Sequence, residues 1–169
     1  ALVAAYPFMK RITWWPQAWL GLTFNWGALL GFAAITGGLQ WPALLLYASG
    51  IFWTLGYDTI YAIQDLEDDA LAGVKSSVRR LGENTAKGVL VFYVLCFVLA
   101  LATAWVGGLG PLFLPPAALF GLHLSNQAAK VRLEDPVGAL ALFKSNALAG
   151  LALFLALGAG AWTGPQGLF

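Results

Sequence analysis

Residues 12–57 read ITWWPQAWLGLTFNWGALLGFAAITGGLQWPALLLYASGIFWTLGY and contain no Asp, Glu, Lys or Arg. The run is about twice the ~20 residues that a helix needs to cross a bilayer. Near its middle stands Gly37-Gly38-Leu39-Gln40-Trp41-Pro42, glycine and proline in the combination that marks a turn. The run therefore folds as two membrane helices joined by a short uncharged turn. A second charge-free run, Gly88 to Ala129, repeats the arrangement with Gly107-Gly108-Leu109-Gly110-Pro111 at its break. A third, Ser145 to Phe169, supplies one helix more. The expected fold is all-α, a polytopic transmembrane helix bundle of about five spans placed at roughly 17–37, 41–60, 86–107, 111–130 and 138–162.

Composition agrees. The chain is 60% hydrophobic and 10% charged, whereas a soluble domain carries about 25% charged residues. A net charge of +1 leaves no polybasic field, which excludes nucleic acid and leaves membrane lipid as the surrounding partner. The single cysteine, Cys96, lies in an apolar run, so it forms no intrachain disulfide and reads as a small packing residue. Residues 1–9 are apolar and are followed by Lys10-Arg11, the reverse order of a signal peptide. They read as the tail of a helix that begins upstream.

Five alternating spans place both glycine-rich turns on one side of the bilayer. Lys10-Arg11, residues 58–87 and residues 130–144 fall on the other, and with them every charged residue of the chain. The lysines and arginines there make that face cytoplasmic by the positive-inside tendency. Ordinary topology accounts for Arg79, Arg80, Lys87, Lys130 and Arg132. It does not account for the acidic segment that follows the second span.

That segment runs Tyr57-Asp58-Thr59-Ile60-Tyr61-Ala62-Ile63-Gln64-Asp65-Leu66-Glu67-Asp68-Asp69. If the helix continues, Asp58, Tyr61, Asp65 and Asp69 share one face, with Asp68 beside it. Asp65 and Asp69 are like charges one turn apart, a mildly destabilising pair that a divalent cation would relieve. Oxygen ligands without His or Cys suit Mg2+, which takes one or two carboxylates and binds substrate phosphates. Lys75 and Arg79 follow at loop distance, placed to hold diphosphate oxygens. Asp58 stands closest to the hydrocarbon, where an ionisable residue is a functional hypothesis by default. The lone His123 and the amides of Asn25, Asn126 and Asn146 read as packed, interhelical hydrogen-bonding groups, and Trp14 and Trp15 beside Lys10-Arg11 as interfacial anchors.

Three collinear stretches resemble one family, the intramembrane aromatic prenyltransferases of the UbiA type. Tyr57-Asp58-Thr59-Ile60-Tyr61-Ala62, Gln64-Asp65, Asp68-Asp69, Gly73-Val74-Lys75-Ser76 and Gly82 resemble its second aspartate-rich motif, with Asp65 and Asp69 as the D-x-x-x-D. Tyr6-Pro7-Phe8-Met9-Lys10-Arg11-Ile12-Thr13 with Pro16-Gln17 resembles the approach to its fifth helix in the 4-hydroxybenzoate branch. Phe143-Lys144-Ser145-Asn146 with Gly150-Leu151 resembles the approach to its last helix. The resemblance implies nine transmembrane helices around a cavity open to lipid, and two aspartate-rich motifs binding Mg2+ bridged to the diphosphate of a polyprenyl diphosphate. It implies transfer of the polyprenyl group to 4-hydroxybenzoate in ubiquinone biosynthesis, in a bacterial inner membrane or its equivalent. Asp65, Asp69 and Asp68 would be the metal side, Asp58 would act with Asp65 and Asp69 in catalysis, and Tyr6, Lys10 and Lys75 would contact the diphosphate. The family's first motif, N-D-x-x-D-x-x-x-D, is absent, since no Asn-Asp pair occurs. Residues 1–169 are thus expected to be the C-terminal part of one membrane domain, helices five to nine after the end of the fourth, and inactive alone. Three alternatives stay open: a related enzyme with a menaquinone, tocopherol, haem or chlorophyll pathway acceptor, an ion-binding transporter fragment, and a non-catalytic membrane subunit.

Overall fold

The computed structural model describes residues 2–164, and all regular structure in them is helical. α1 (Leu2–Ile12) leads into α2 (Pro16–Phe24) and α3 (Trp26–Thr36), followed by α4 (Trp41–Tyr61). Two short helices, α5 (Leu66–Leu71) and α6 (Ser77–Leu81), form the charged loop, and α7 (Thr85–Val106), α8 (Leu114–Lys130) and α9 (Pro136–Thr163) complete the bundle. Proline stands in the first turn of α2, α4, α8 and α9, where its missing N–H has no intrahelical partner to lose. α3 stops at Gly37, whose φ of +76° is a left-handed cap that a side chain resists.

Three stretches are long and apolar enough to cross a membrane: Pro16–Thr36, Ser77–Val106 and Pro136–Thr163. α4 and α8, expected as spans too, are helical over 21 and 17 residues. Large apolar side chains face outward, among them Trp105, Leu122 and Phe154 at 87%, 67% and 70% exposure. Water would not tolerate so much apolar surface, but lipid does.

The first span is not one smooth helix. It breaks at Asn25, whose amide donates both to the Gly21 carbonyl at 2.8 Å and to Thr54 Oγ1 on α4 at 3.0 Å. Gly50 makes room for that side chain; a Cβ there would overlap the Asn25 amide. Asn25 is thus the interhelical group that its apolar surroundings predict.

α4 is the hub, packing against α2, α3, α7 and α9. It meets α7 at Gly56, where a Cβ would overlap the Tyr93 ring. The main core gathers Ile60, Val89, Tyr93, Cys96, Phe120, Leu124, Ala149 and Leu153. Cys96 is fully buried, and the Ser49 hydroxyl donates to its carbonyl at 2.8 Å, in keeping with a packing role. At the uncharged end, Gly110 N–H donates to the Gly160 carbonyl at 2.8 Å, tying the turn before α8 to α9.

Candidate functional site

The site forms at the charged end, where α1, the loop after α4 and the start of α9 converge. One sequence expectation fails here. The helix carrying Asp58 does not continue to Asp69. α4 ends at Tyr61, residues 62–65 form turns, and α5 starts after Asp65. The tightening is visible in the hydrogen bonds, Ile63 N–H to the Ile60 carbonyl at 3.2 Å and Gln64 N–H to the Tyr61 carbonyl at 3.0 Å. Ile60, Ala62 and Ile63 are all buried in the core, so the chain stays packed against the bundle as it leaves α4. The acidic residues therefore do not lie along one helical face.

Folding nevertheless brings them together with α1. Lys10 Nζ lies 3.1 and 3.4 Å from the two carboxylate oxygens of Asp69, the one buried aspartate of the segment among the described residues. The like-charge strain expected of Asp65 and Asp69 is thus relieved by a protein cation. Tyr6 is half-buried one helical turn before Lys10. Its phenol is pushed up to about 12, first by burial and then by the charges of Asp58, Asp69 and Asp65. Tyr6 therefore keeps its proton and lies within the field of three carboxylates. Asp58 and Asp65 are partly exposed, Asp68 is exposed, and none of the three is ion-paired among the described residues.

The loop is strapped to α1 through its backbone. Lys75 N–H donates to the Lys10 carbonyl at 2.7 Å, and Lys75 Nζ donates to the Ile12 carbonyl at 3.0 Å. Arg79 donates to the carbonyls of Asp69, at 3.2 Å, and Val74. Both cations lie over the Trp14 ring, Lys75 at 5.9 Å and Arg79 at 5.8 Å from its centre. Trp14 is the platform on which the loop's cations rest, and Trp15 packs edge-on against Phe92.

Beside this polar mouth, a cavity of about 330 Å3 opens between α2, α4 and α9, lined by Leu20, Phe24, Tyr57, Asp58, Phe143, Lys144, Asn146 and Ala147. Phe143 stacks edge-on to Tyr57 and tilted to Tyr61, with centroids 5.7 and 4.8 Å apart. Asn146 is held by Trp53, whose indole N–H donates to its Oδ1 at 2.8 Å. A larger hollow of about 890 Å3 near Phe32, Ile35, Trp41 and Val106 lies at the uncharged end and has no ionisable group in its lining, unlike the smaller one, which holds Asp58 and Lys144.

Behind it lies a buried network that sequence reading missed. Tyr93 donates to Gln127 Oε1 at 2.6 Å. Gln127 Nε2 in turn reaches the Leu142 carbonyl, Ser145 Oγ and His123 Nε2 at 3.0, 2.8 and 3.1 Å. His123 is thus a satisfied packing residue, as expected. Asn126, expected to bridge helices, is exposed; its neighbour Gln127, 1% exposed, does so instead. Gln127 sits in a charge-free run just as the asparagines do, and that signal could have found it.

The sequence profile of the UbiA prenyltransferase family matches residues 1–158. The chain belongs to the UbiA prenyltransferase family. The mitochondrial 4-hydroxybenzoate polyprenyltransferases of Aedes aegypti and Rattus norvegicus are 43% and 47% identical to this UbiA-family chain over 92% of its length. The chain spans only 36% and 42% of those relatives. The apo structure of a UbiA homolog from Aeropyrum pernix K1 superposes with a TM-score of 0.73 at 23% identity, covering 93% of this chain and 61% of that one. That match establishes the fold.

The family implies Mg2+, and the residues fit it in one way. The donors are oxygens alone. Among the described residues no three carboxylate, imidazole or thiolate groups enclose an ion. Such a set cannot form a closed cage, but suits an ion that keeps waters and shares its ligands with a phosphate.

Proposed function

We propose that this chain is part of a Mg2+-dependent enzyme that transfers the polyprenyl group of a polyprenyl diphosphate to the ring of 4-hydroxybenzoate, in ubiquinone biosynthesis. The observation that carries the reading is the juxtaposition of Tyr6, Lys10, Asp58, Asp65 and Asp69 at the mouth of an apolar bundle. It is supported by similarity to two 4-hydroxybenzoate polyprenyltransferases over nearly the whole chain. In this reading α2 to α9 supply five of nine helices, and the charged end faces the cytoplasm or the mitochondrial matrix.

Of Asp65, Asp68 and Asp69, which do not gather around one point, one or two would share magnesium with the diphosphate, and the ion when bound would supply charge neutralisation on the leaving group. Lys10 and Tyr6 donate to diphosphate oxygens, and Lys75 adds positive charge from the strap. The bond from the allylic carbon to the diphosphate oxygen breaks, and the ring carbon next to the phenol oxygen forms the new C–C bond. The ring proton leaves to a base. The apolar walls formed by Leu20, Phe24 and Phe143 keep water from the allylic cation.

The test is prenylation of 4-hydroxybenzoate in membranes, read by mass spectrometry, with the protein expressed from its complete gene. Product that depends on magnesium and is lost in Asp65→Asn is the expected result. Full insertion with no product from any of several prenyl donors would move the assignment to another acceptor or to a non-enzyme.

A further inference from the structure

Lys144 carries a charge that the proposed machinery does not use. It sits on α9 at the wall of the 330 Å3 cavity, with Asp58 in the same lining. It is exposed, and it makes no hydrogen bond or ion pair among the described residues. Asp58 likewise makes no ion pair there, and the charges of Lys10 and Asp65 act on it. The remaining polar group, Asn146, has none to spare: its Oδ1 takes the Trp53 N–H, and its Nδ2 donates to the Leu142 and Phe143 carbonyls. The cavity thus offers one ammonium donor, one carboxylate acceptor and aromatic walls from Phe24, Tyr57 and Phe143. Its volume is at the small end of ligand pockets, about 300–1,000 Å3. The two charges stand more than salt-bridge distance apart, so both stay free for a ligand.

We infer that Lys144 anchors the carboxylate of an aromatic acid acceptor in this cavity, with Asp58 accepting from the ring hydroxyl. The inference rests on the proposed function for the acceptor class and adds the residue that selects it. A single ring with a hydroxyl at one end and a carboxylate at the other offers a partner to each of these groups, whereas a neutral phenol leaves the ammonium unmatched. A charged hydrogen bond of this kind is worth roughly 10- to 100-fold in affinity.

The experiment compares wild type, Lys144→Gln and Lys144→Arg, expressed from the complete gene and purified in lipid nanodiscs. Equilibrium binding of 4-hydroxybenzoate and of its methyl ester is measured without prenyl donor, and kcat/KM with donor. Lys144→Gln is expected to lower the preference for the acid over the ester by about 10- to 100-fold in both measurements, leaving the KM for the prenyl diphosphate in place. Lys144→Arg is expected to keep most of the preference. An unchanged preference in Lys144→Gln, as for a lysine reaching a lipid headgroup, overturns the inference, and so does a rise confined to the donor KM. If wild type binds the acid but prenylates nothing, the proposed enzyme fails while the binding arm still decides the role of Lys144. If it does not bind the acid at all, the anchor is overturned.

Discussion

Removing the charge of Lys10 tests whether its contact with Asp69 holds α1 to the charged loop. In Lys10→Met the Asp69 carboxylate, 8% exposed at its side chain, loses its only ion-pair partner among the described residues. Breaking a fully buried pair from one side costs about 3–5 kcal/mol. Lys10 is 29% exposed, so solvent screens part of the loss, and about 2 kcal/mol is the reasonable expectation. For a chain of this size that is a drop in Tm of roughly 4–8 °C. Asp69→Asn removes the stranded charge, so the double variant should recover about half of the loss; with Asp69→Asn alone costing about 1 kcal/mol, the coupling is ~2 kcal/mol in magnitude. The assay is thermal unfolding of the four proteins of this cycle in one detergent, without magnesium. A Tm unchanged in Lys10→Met, or a coupling of zero, would refute the claim that this pair fastens the loop.

Further perturbations report on other parts of the molecule. Gln127→Leu should destabilise by about 1–3 kcal/mol, because it strands the Tyr93 hydroxyl in the core; Tyr93→Phe added to it should restore part of that loss in the same unfolding assay. Gly56→Ala should cost about 1–3 kcal/mol by forcing the Tyr93 ring away from α4, again read as Tm. Arg79→Gln should raise amide hydrogen exchange across residues 69–75 by roughly tenfold, about 1.4 kcal/mol of local opening, because two carbonyls lose their cation and the Trp14 ring loses one of its two. Cys96 should resist a membrane-permeant maleimide in the folded protein and react after denaturation, since its side chain is fully buried.

Much of the fold was legible because a bilayer simplifies the problem. Runs without charge must be helical there, since no water satisfies an open backbone. The expected breaks at Gly37–Pro42 and Gly107–Pro111 match the gaps between α3 and α4 and between α7 and α8. The site residues were legible as types in a pattern. Their arrangement was not, because the aspartates are placed by the turn at residues 62–65 and by the contact of Lys10 with Asp69, which their spacing along the chain does not record. The kink at Asn25 escaped notice for the same reason, its partners being Gly21 nearby and Thr54 on another helix.

The sequence by itself determined a helical membrane chain with all of its charge at one end, because hydrophobic length and charge position are properties of a line. Only the tertiary structure decided which charges meet. Lys10 and Asp69 are 59 positions apart, and Asp58 shares a cavity with Lys144 from the far end of the chain. Those pairings depend on how α1, α4 and α9 pack in three dimensions, and local spacing carries no record of it.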